Sequence, residues 1–136
     1  MLDDAGLLIL RLVVGLLIAG HGAQKLFGWF GGAGLAANAQ LFDRLGFHPG
    51  MFWGTLVGCV EFFGGILLVI GFFTRGAAFS VVIFMLTAIY VTSKAGGFFW
   101  TNRGSEYSIL ILFVAVYLLI RGAGAYSVDE RMDREV

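Results

Sequence analysis

The sequence predicts an all-α integral membrane protein, a four-helix bundle with an interfacial amphipathic segment between the first and second spans. Three observations support this fold class. The chain is 59% hydrophobic and only 13% charged, whereas soluble domains carry roughly 25% charged residues. Its apolar runs are continuous and do not alternate as membrane strands do. Four of these runs come near the roughly 20 residues that a helix needs to cross hydrocarbon.

The predicted spans lie in a single transmembrane domain, 1–136, and cover about 7–27, 51–73, 76–93 and 105–121. The last run is the shortest, so polar residues at its ends must lengthen it. The connection at Thr74–Arg75 is very short, which predicts a tight helical hairpin between the second and third spans. Residues 122–136 form a polar tail.

The first run also has the features of a secretory signal peptide, because Ala37–Asn38–Ala39 resembles a cleavage site. However, Asp3 and Asp4 stand where a signal peptide has basic residues. His21 and Lys25 also interrupt the segment before the cleavage pattern. A transmembrane span is therefore the favoured interpretation.

The long connection after the first span contains the amphipathic segment, Leu35–Leu45. Leu35, Ala39, Phe42 and Leu45 share one helical face. A helix with one apolar face is suited to lie in the plane of the membrane interface.

An even number of spans places both termini on one side of the membrane. That side would carry the basic residues Arg75, Arg121, Arg131 and Arg134, and the other side Lys25, Arg44, Lys94 and Arg103. The positive-inside rule then slightly favours both termini in the cytoplasm.

The three tryptophans, Trp29, Trp53 and Trp100, fall on the side opposite the termini. Tryptophan prefers the headgroup level of a bilayer. These residues would form an interfacial belt or the rim of a binding mouth.

Glu61 is the most unusual residue, because it lies in the middle of an apolar run. Gly54, Gly58 and Gly65 recur with it at 4-3-4 spacing, which makes one stripe on the helix. Small residues at this spacing let helix backbones approach closely in lipid. Glu61 is therefore expected to face another helix.

The first span carries a matching stripe, formed by Arg11, Gly15, Ile18, Gly22 and Lys25. The two spans are expected to pack along these stripes. At about 1.5 Å per residue, Glu61 would lie about 14 Å into its span, between the levels of Arg11 and His21. We therefore consider two roles for it: half of a structural ion pair with Arg11, or a candidate catalytic residue.

A second polar group is predicted near the tryptophan-rich side, and its members are candidate ligand-binding residues. Simpler roles are available for several of them, because lysines snorkel to the interface and an acidic residue can cap a helix. A histidine can also be a packing residue. The group comprises His21, Gln24, Lys25, Lys94, Glu106 and Tyr107.

Several function classes are excluded by composition and motifs. Zero net charge gives no reason to expect nucleic acid, and a single cysteine allows no intrachain disulfide. Two histidines and one cysteine make no zinc pattern, so no metal and no covalent cofactor is expected. Gly122–Ala123–Gly124 follows a helix, unlike a dinucleotide fingerprint. The chain holds no complete catalytic set, and a site for a small polar or quinone-like molecule remains.

Three segments carry a family resemblance: RLVVGLLIAGHGAQKLFG (Arg11–Gly28), VEFFGGILLVIGFFTRGAA (Val60–Ala78) and GAGAYSVD (Gly122–Asp129). With them the chain resembles the DoxX family of small four-span bacterial membrane proteins. Ala123 stands where the family ending usually has proline.

The resemblance implies a location in the bacterial cytoplasmic (inner) membrane and a link to redox chemistry. DoxX-like proteins are similar to the membrane subunits of thiosulfate:quinone oxidoreductase, and others are linked to membrane-associated oxidoreductase complexes. By position, the polar signature of the family falls on Arg11, His21, Gly22, Lys25 and Glu61, and an acidic–aromatic pair falls on Glu106 and Tyr107.

Two functions follow as hypotheses. In the first, the chain is a quinone-interacting subunit of a membrane-associated oxidoreductase complex. Lys25 and His21 would then hydrogen-bond a quinone carbonyl, Glu61 would exchange a proton, and a partner subunit would supply electrons. In the second, it is a non-catalytic accessory subunit packed against a larger membrane complex. A solute conduit is a third reading and would require self-association. The expected partners are membrane lipid and either other oxidoreductase subunits or further copies of the chain.

Overall fold

The computed structural model describes residues 2–132, and this part of the chain is helical without strands. Short 3₁₀ turns occur at Trp29–Gly31 and Trp100–Asn102. The α-helices are α1 (Leu2–Phe27), α2 (Gly34–Arg44), α3 (Gly50–Ile70), α4 (Thr74–Gly96), α5 (Glu106–Arg121) and α6 (Val128–Arg131).

The four long helices α1, α3, α4 and α5 surround one apolar core. Helix α1 packs along α3, α4 packs along α5, and α3 joins the two pairs through α4. The core side chains come from all four helices: Leu7, Val14, Ile18, Leu68, Ala77, Ala78, Val81, Met85, Ile111, Ala115 and Leu118. Large apolar side chains such as Leu16, Phe113 and Ile120 remain exposed on the outside.

Close contact between α1 and α3 depends on glycines, as the two predicted stripes require. A Cβ at Gly65 would lie 2.5 Å from the backbone of both Gly15 and Ala19, and a Cβ at Gly22 would meet the backbone of Phe62. The prediction that these spans pack along their small residues is confirmed. Gly54 is an exception, because it faces α2.

Helix α2 confirms the predicted helical segment, with boundaries one residue away from 35–45. It lies against the first turns of α3. The buried Asn38 donates from Nδ2 to the carbonyl of Gly54 at 2.9 Å, and Gly54 leaves room for the backbone of Ala39. The first turns of α3 therefore pack on α2, while its later turns pack on α1.

A tight hairpin joins α3 and α4 as predicted, but the turn lies at 71–73, because Thr74 and Arg75 already belong to the first turn of α4. Gly71 and Phe73 adopt left-handed backbone angles, with φ of 68° and 49°, which reverse the chain within three residues. Asp129 stabilises the turn from outside, because its carboxylate accepts hydrogen bonds from the amides of Phe73 at 2.7 Å and Thr74 at 2.9 Å. These amides belong to the start of α4, where an anion is favoured.

The segment after α5 folds back under the helices, which composition alone did not reveal. The amide of Asp129 donates to the carbonyl of Gly71 at 2.9 Å, and the buried guanidinium of Arg11 donates to the carbonyl of Tyr126 at 2.5 Å. The end of the predicted polar tail, 133–136, lies outside the described residues.

Within residues 2–132, two helices, α3 and α4, are long and apolar enough to cross a membrane by length and composition. Helix α5 has only 16 residues, so its helical rise is about 24 Å at 1.5 Å per residue.

Candidate functional site

Lys25 and Glu61 form an ion pair in the interior, with 2.7 Å between Nζ and Oε2. The Glu61 side chain is only 4% exposed, whereas that of Lys25 is 30% exposed. The Lys25 ammonium also lies 4.8 Å from the centre of the Phe84 ring on α4, a distance at which a cation is attracted to an aromatic face. The pair therefore joins three helices, and Lys25 is its accessible member.

The predicted ion pair between Arg11 and Glu61 is wrong. Helices α1 and α3 are antiparallel, and their contacts pair Gly15 with Gly65 and Gly22 with Phe62. This register brings Lys25 to Glu61 and brings Arg11 to Gly71, ten residues further along α3. Ten helical residues span about 15 Å, which is too far for a side-chain contact.

The physical reason for the error is the depth assigned to Glu61. The prediction counted from Met51 as though α1 and α3 were level at the tryptophan-rich end. In the structure the first turns of α3 pack on α2 and extend past the end of α1. Glu61 is therefore level with the last turn of α1, where Lys25 lies.

His21, one helical turn before Lys25 on α1, meets Tyr107 at the start of α5. Their ring centroids are 5.1 Å apart at an interplanar angle of 48°. The Tyr107 hydroxyl is buried and has no hydrogen-bond partner among the described residues. These two rings line an open groove of about 690 Å³, the His21 groove, together with Trp100, Glu106 and Leu110.

A second groove lies between α2, α3 and α4, and we call it the apolar groove. It consists of two cavities of about 190 and 120 Å³. The two cavities share five of their lining side chains: Phe42, Phe47, Val57, Phe84 and Thr87. Lys25 lines the inner cavity, so the polar pair is reached from an otherwise apolar space.

Other predicted ligand-binding residues are not brought to the pair. The Lys94 ammonium lies on an exposed face of α4, 2.5 Å from the Tyr90 hydroxyl. Gln24 donates from Nε2 to the carbonyl of Phe30 at 3.3 Å. Glu106 lines the His21 groove and accepts a hydrogen bond from the Trp100 amide at 3.1 Å.

The apolar groove was missed at the sequence level. Its side chains, such as Val57, Phe84 and Thr87, are ordinary residues of apolar helices and carry no motif. The buried Asn38 was the one available signal, since a polar side chain on the inner face of an amphipathic helix must find a partner. Among residues 2–132, no cluster of acidic, histidine and cysteine side chains could hold a metal ion.

The helical fold, the apolar surface and the buried ion pair define a class of small helical membrane proteins. The sequence model of the DoxX family matches residues 6–94. The chain belongs to the DoxX family.

Curated relatives cover most of the chain. An inner membrane protein of Escherichia coli, YqjF, is 31% identical over 98% of this chain and 97% of its own length. A Mycobacterium tuberculosis protein named as an uncharacterised membrane protein, Rv3486, is 31% identical over 92% of this chain and 80% of its own. A Bacillus subtilis protein whose name marks it as a candidate oxidoreductase, CatD, is 27% identical over 93% of this chain and 86% of its own. No solved structure matches the chain.

Proposed function

We propose that this chain is a four-span membrane subunit of a membrane-associated oxidoreductase complex, and that it binds a quinone headgroup at Lys25. One observation carries the proposal: a buried ion pair between Lys25 and Glu61 is reached from an apolar groove. The oxidoreductase name of the relative CatD points the same way.

In this proposal α1, α3, α4 and α5 cross the bacterial inner membrane as a four-helix bundle, with both termini in the cytoplasm. The amphipathic α2 lies in the opposite interface. The exposed apolar side chains on the outer faces of the helices would meet lipid. Exposed Trp29 and Trp100 would lie at the headgroup level.

The chemistry at the pair suits a neutral oxygen acceptor. The Lys25 ammonium has three N–H donors, and Glu61 occupies one direction only. Another donor can reach a quinone carbonyl, while the Glu61 carboxylate compensates the charge of Lys25. Reduction to the quinol requires two electrons, supplied by a redox group in a partner subunit, and two protons.

His21 and Tyr107 are proposed to form a polar wall beside the pair, since His21 lies one helical turn before Lys25 on α1. The Tyr107 hydroxyl is buried without a hydrogen-bond partner among the described residues, and His21 contacts the Tyr107 ring at the edge of the His21 groove. In this proposal the protons for quinone reduction would come from water in the His21 groove.

The proposal is tested by titrating the purified chain in lipid nanodiscs with decylubiquinone and following tryptophan quenching. Lys25→Gln replaces the charged ammonium with a shorter, neutral amide and is expected to weaken binding about tenfold, since a hydrogen bond to a charged group contributes about 1.5–3 kcal/mol and one between neutral groups about 0.5–1.5 kcal/mol. Glu61→Gln tests the compensating charge. Lys94→Gln is the matched control, because Lys94 lies outside the pair.

Turnover gives a second test. Quinone-linked electron transfer in native membranes is expected to fall in Lys25→Gln and Glu61→Gln and to persist in Lys94→Gln. Unchanged binding and unchanged turnover in both site variants would refute the proposal and favour the accessory role.

A further inference from the structure

We propose that the apolar groove is the binding site for the hydrocarbon tail of the ligand, and that the ligand enters sideways from the lipid between α3 and α4. This inference rests on the proposed function, because it takes Lys25 as the contact for the headgroup. It adds the tail site, the entry route and the selection of a neutral headgroup.

The two cavities of the groove form one path to Lys25. Val57 on α3 and Phe84 and Thr87 on α4 line both of them. Phe84 also lies under the Lys25 ammonium, 4.8 Å from Nζ to the ring centre. A chain running along Phe84 would therefore end with its headgroup at Lys25.

The walls of the path offer a ligand almost no polar contact. The hydroxyl groups of its serine and threonines are bonded within α4: Ser80 to Gly76, Thr87 to Ile83 and Thr92 to Ala88, at 3.1, 3.3 and 2.7 Å. The Asn38 amide is engaged by the carbonyl of Gly54. Such a lining favours a hydrocarbon, because a polar ligand group would lose its hydrogen bonds with water.

The outer end of the path reaches the surface that faces lipid. Leu56 and Ile83 line the outer cavity and are 42% and 51% exposed. They lie on α3 and α4, both of which are long and apolar enough to cross a membrane. A lipid-dissolved tail can therefore enter without passing through water.

The dimensions and charge of the groove identify its occupant. A helix is about 10 Å across with its side chains, whereas the cavities hold only about 190 and 120 Å³. Glu61 lies 2.7 Å from the single lysine at the inner end, so the pair is neutral overall. A phosphate headgroup would face that carboxylate, whereas a neutral carbonyl headgroup would not be repelled.

The test compares two probes with the same headgroup: decylubiquinone and the same benzoquinone without its tail. Binding of each to the chain in nanodiscs is measured by tryptophan quenching. The wild type is expected to bind the decyl probe at least tenfold more tightly. Val57→Phe places a larger side chain in both cavities. It is expected to weaken binding of the decyl probe about tenfold and to leave binding of the tailless probe unchanged. Val13→Phe, on an exposed position of α1, is the matched control.

Thr87→Leu is a second variant that narrows the same groove, and it replaces Val57→Phe if that variant does not fold. A decyl probe with a photoreactive diazirine at the tail end gives an independent readout, and the expected labels fall on α3 and α4 near Leu56 and Ile83. Labels elsewhere, or equal losses for both probes, would overturn the tail site and leave the headgroup site standing. Failure of the wild type to bind either probe would refute the proposed function itself. A phosphatidylglycerol that co-purifies with the wild type and is lost in Val57→Phe would identify a phospholipid as the occupant and overturn the inference.

Discussion

Lys25 on α1 pairs with Glu61 on α3 at 2.7 Å, and this contact depends on where α3 begins. The first turns of α3 pack on α2, through the bond from Asn38 to Gly54. The antiparallel register then aligns the end of α1 with the middle of α3. The position of the buried charge pair is thus determined by the connection between the two helices as much as by the helices themselves.

The pair predicts a non-additive pattern of stability. Lys25→Met leaves Glu61 in an apolar environment without its partner, and removing one partner of a buried pair costs about 3 kcal/mol or more. The double variant Lys25→Met/Glu61→Gln removes both charges and is expected to recover most of that loss. Thermal unfolding in detergent, followed by circular dichroism, measures the double-mutant cycle.

Lys94→Met provides the baseline for that cycle, since the Lys94 ammonium lies on an exposed face beside Tyr90. Its effect on unfolding is expected to be small. If the losses in the double variant simply add, the two side chains do not interact in the folded protein.

Glycine substitutions on α1 test the close approach of α1 and α3. A Cβ at Gly22 would meet the backbone of Phe62, whereas a Cβ at Gly20 meets nothing within 4 Å. Gly22→Ala is expected to lower the melting temperature, because overpacking costs about 1–3 kcal/mol. Gly20→Ala is expected to raise it, because alanine is favoured over glycine inside a helix by about 0.5–1 kcal/mol. Equal shifts in both variants would mean that α1 does not contact α3 at this level.

The helical class and the α1–α3 contact could be predicted from the sequence because they depend on local patterns. Continuous apolar runs indicate helices, and the recurring glycines mark the faces that meet. Glu61 was therefore correctly expected to face the helix that carries Lys25. Its partner could not be derived, because the relative level of two helices depends on the length and packing of the segment that joins them.

The position of the segment after α5 could not be predicted from the sequence pattern either. Residues 122–131 are short, polar and glycine-containing, which is typical of a surface tail. Their contacts are with residues far away in the chain, since Asp129 bonds to Phe73 and Arg11 bonds to Tyr126. No periodicity reports contacts between residues so distant in sequence.

Because Asp129 bonds to the first amides of α4, the segment after α5 is expected to stabilise the start of that helix. Asp129→Ala removes the acceptor of the Phe73 and Thr74 amides. A hydrogen bond to a charged group contributes about 1.5–3 kcal/mol. Hydrogen exchange of these two amides is therefore expected to accelerate at least tenfold, as measured by mass spectrometry. Glu130→Ala is the control on the same turn, because Glu130 is exposed, and equal acceleration there would contradict the capping role of Asp129.

The junction of α2 and α3 predicts a stability that depends on pH. Asp43 accepts a hydrogen bond from the Gly50 amide at 2.7 Å and lies 3.0 Å from Nδ1 of His48. The hydrogen bond with His48, and then that with Gly50, lowers the pKa of Asp43 below its ordinary value of 3.8. Because the folded-state pKa is lowered, the stabilisation is present above about pH 4 and is lost as the pH falls through the folded-state pKa.

Asp43→Asn is expected to unfold at a lower temperature than wild type at pH 7, and the difference is expected to shrink below pH 4. Melting curves in detergent between pH 3 and 7 measure it, with Asp3→Asn in the exposed first turn of α1 as the control. A difference that stays constant down to pH 3 would show that the charge of Asp43 does not stabilise this junction.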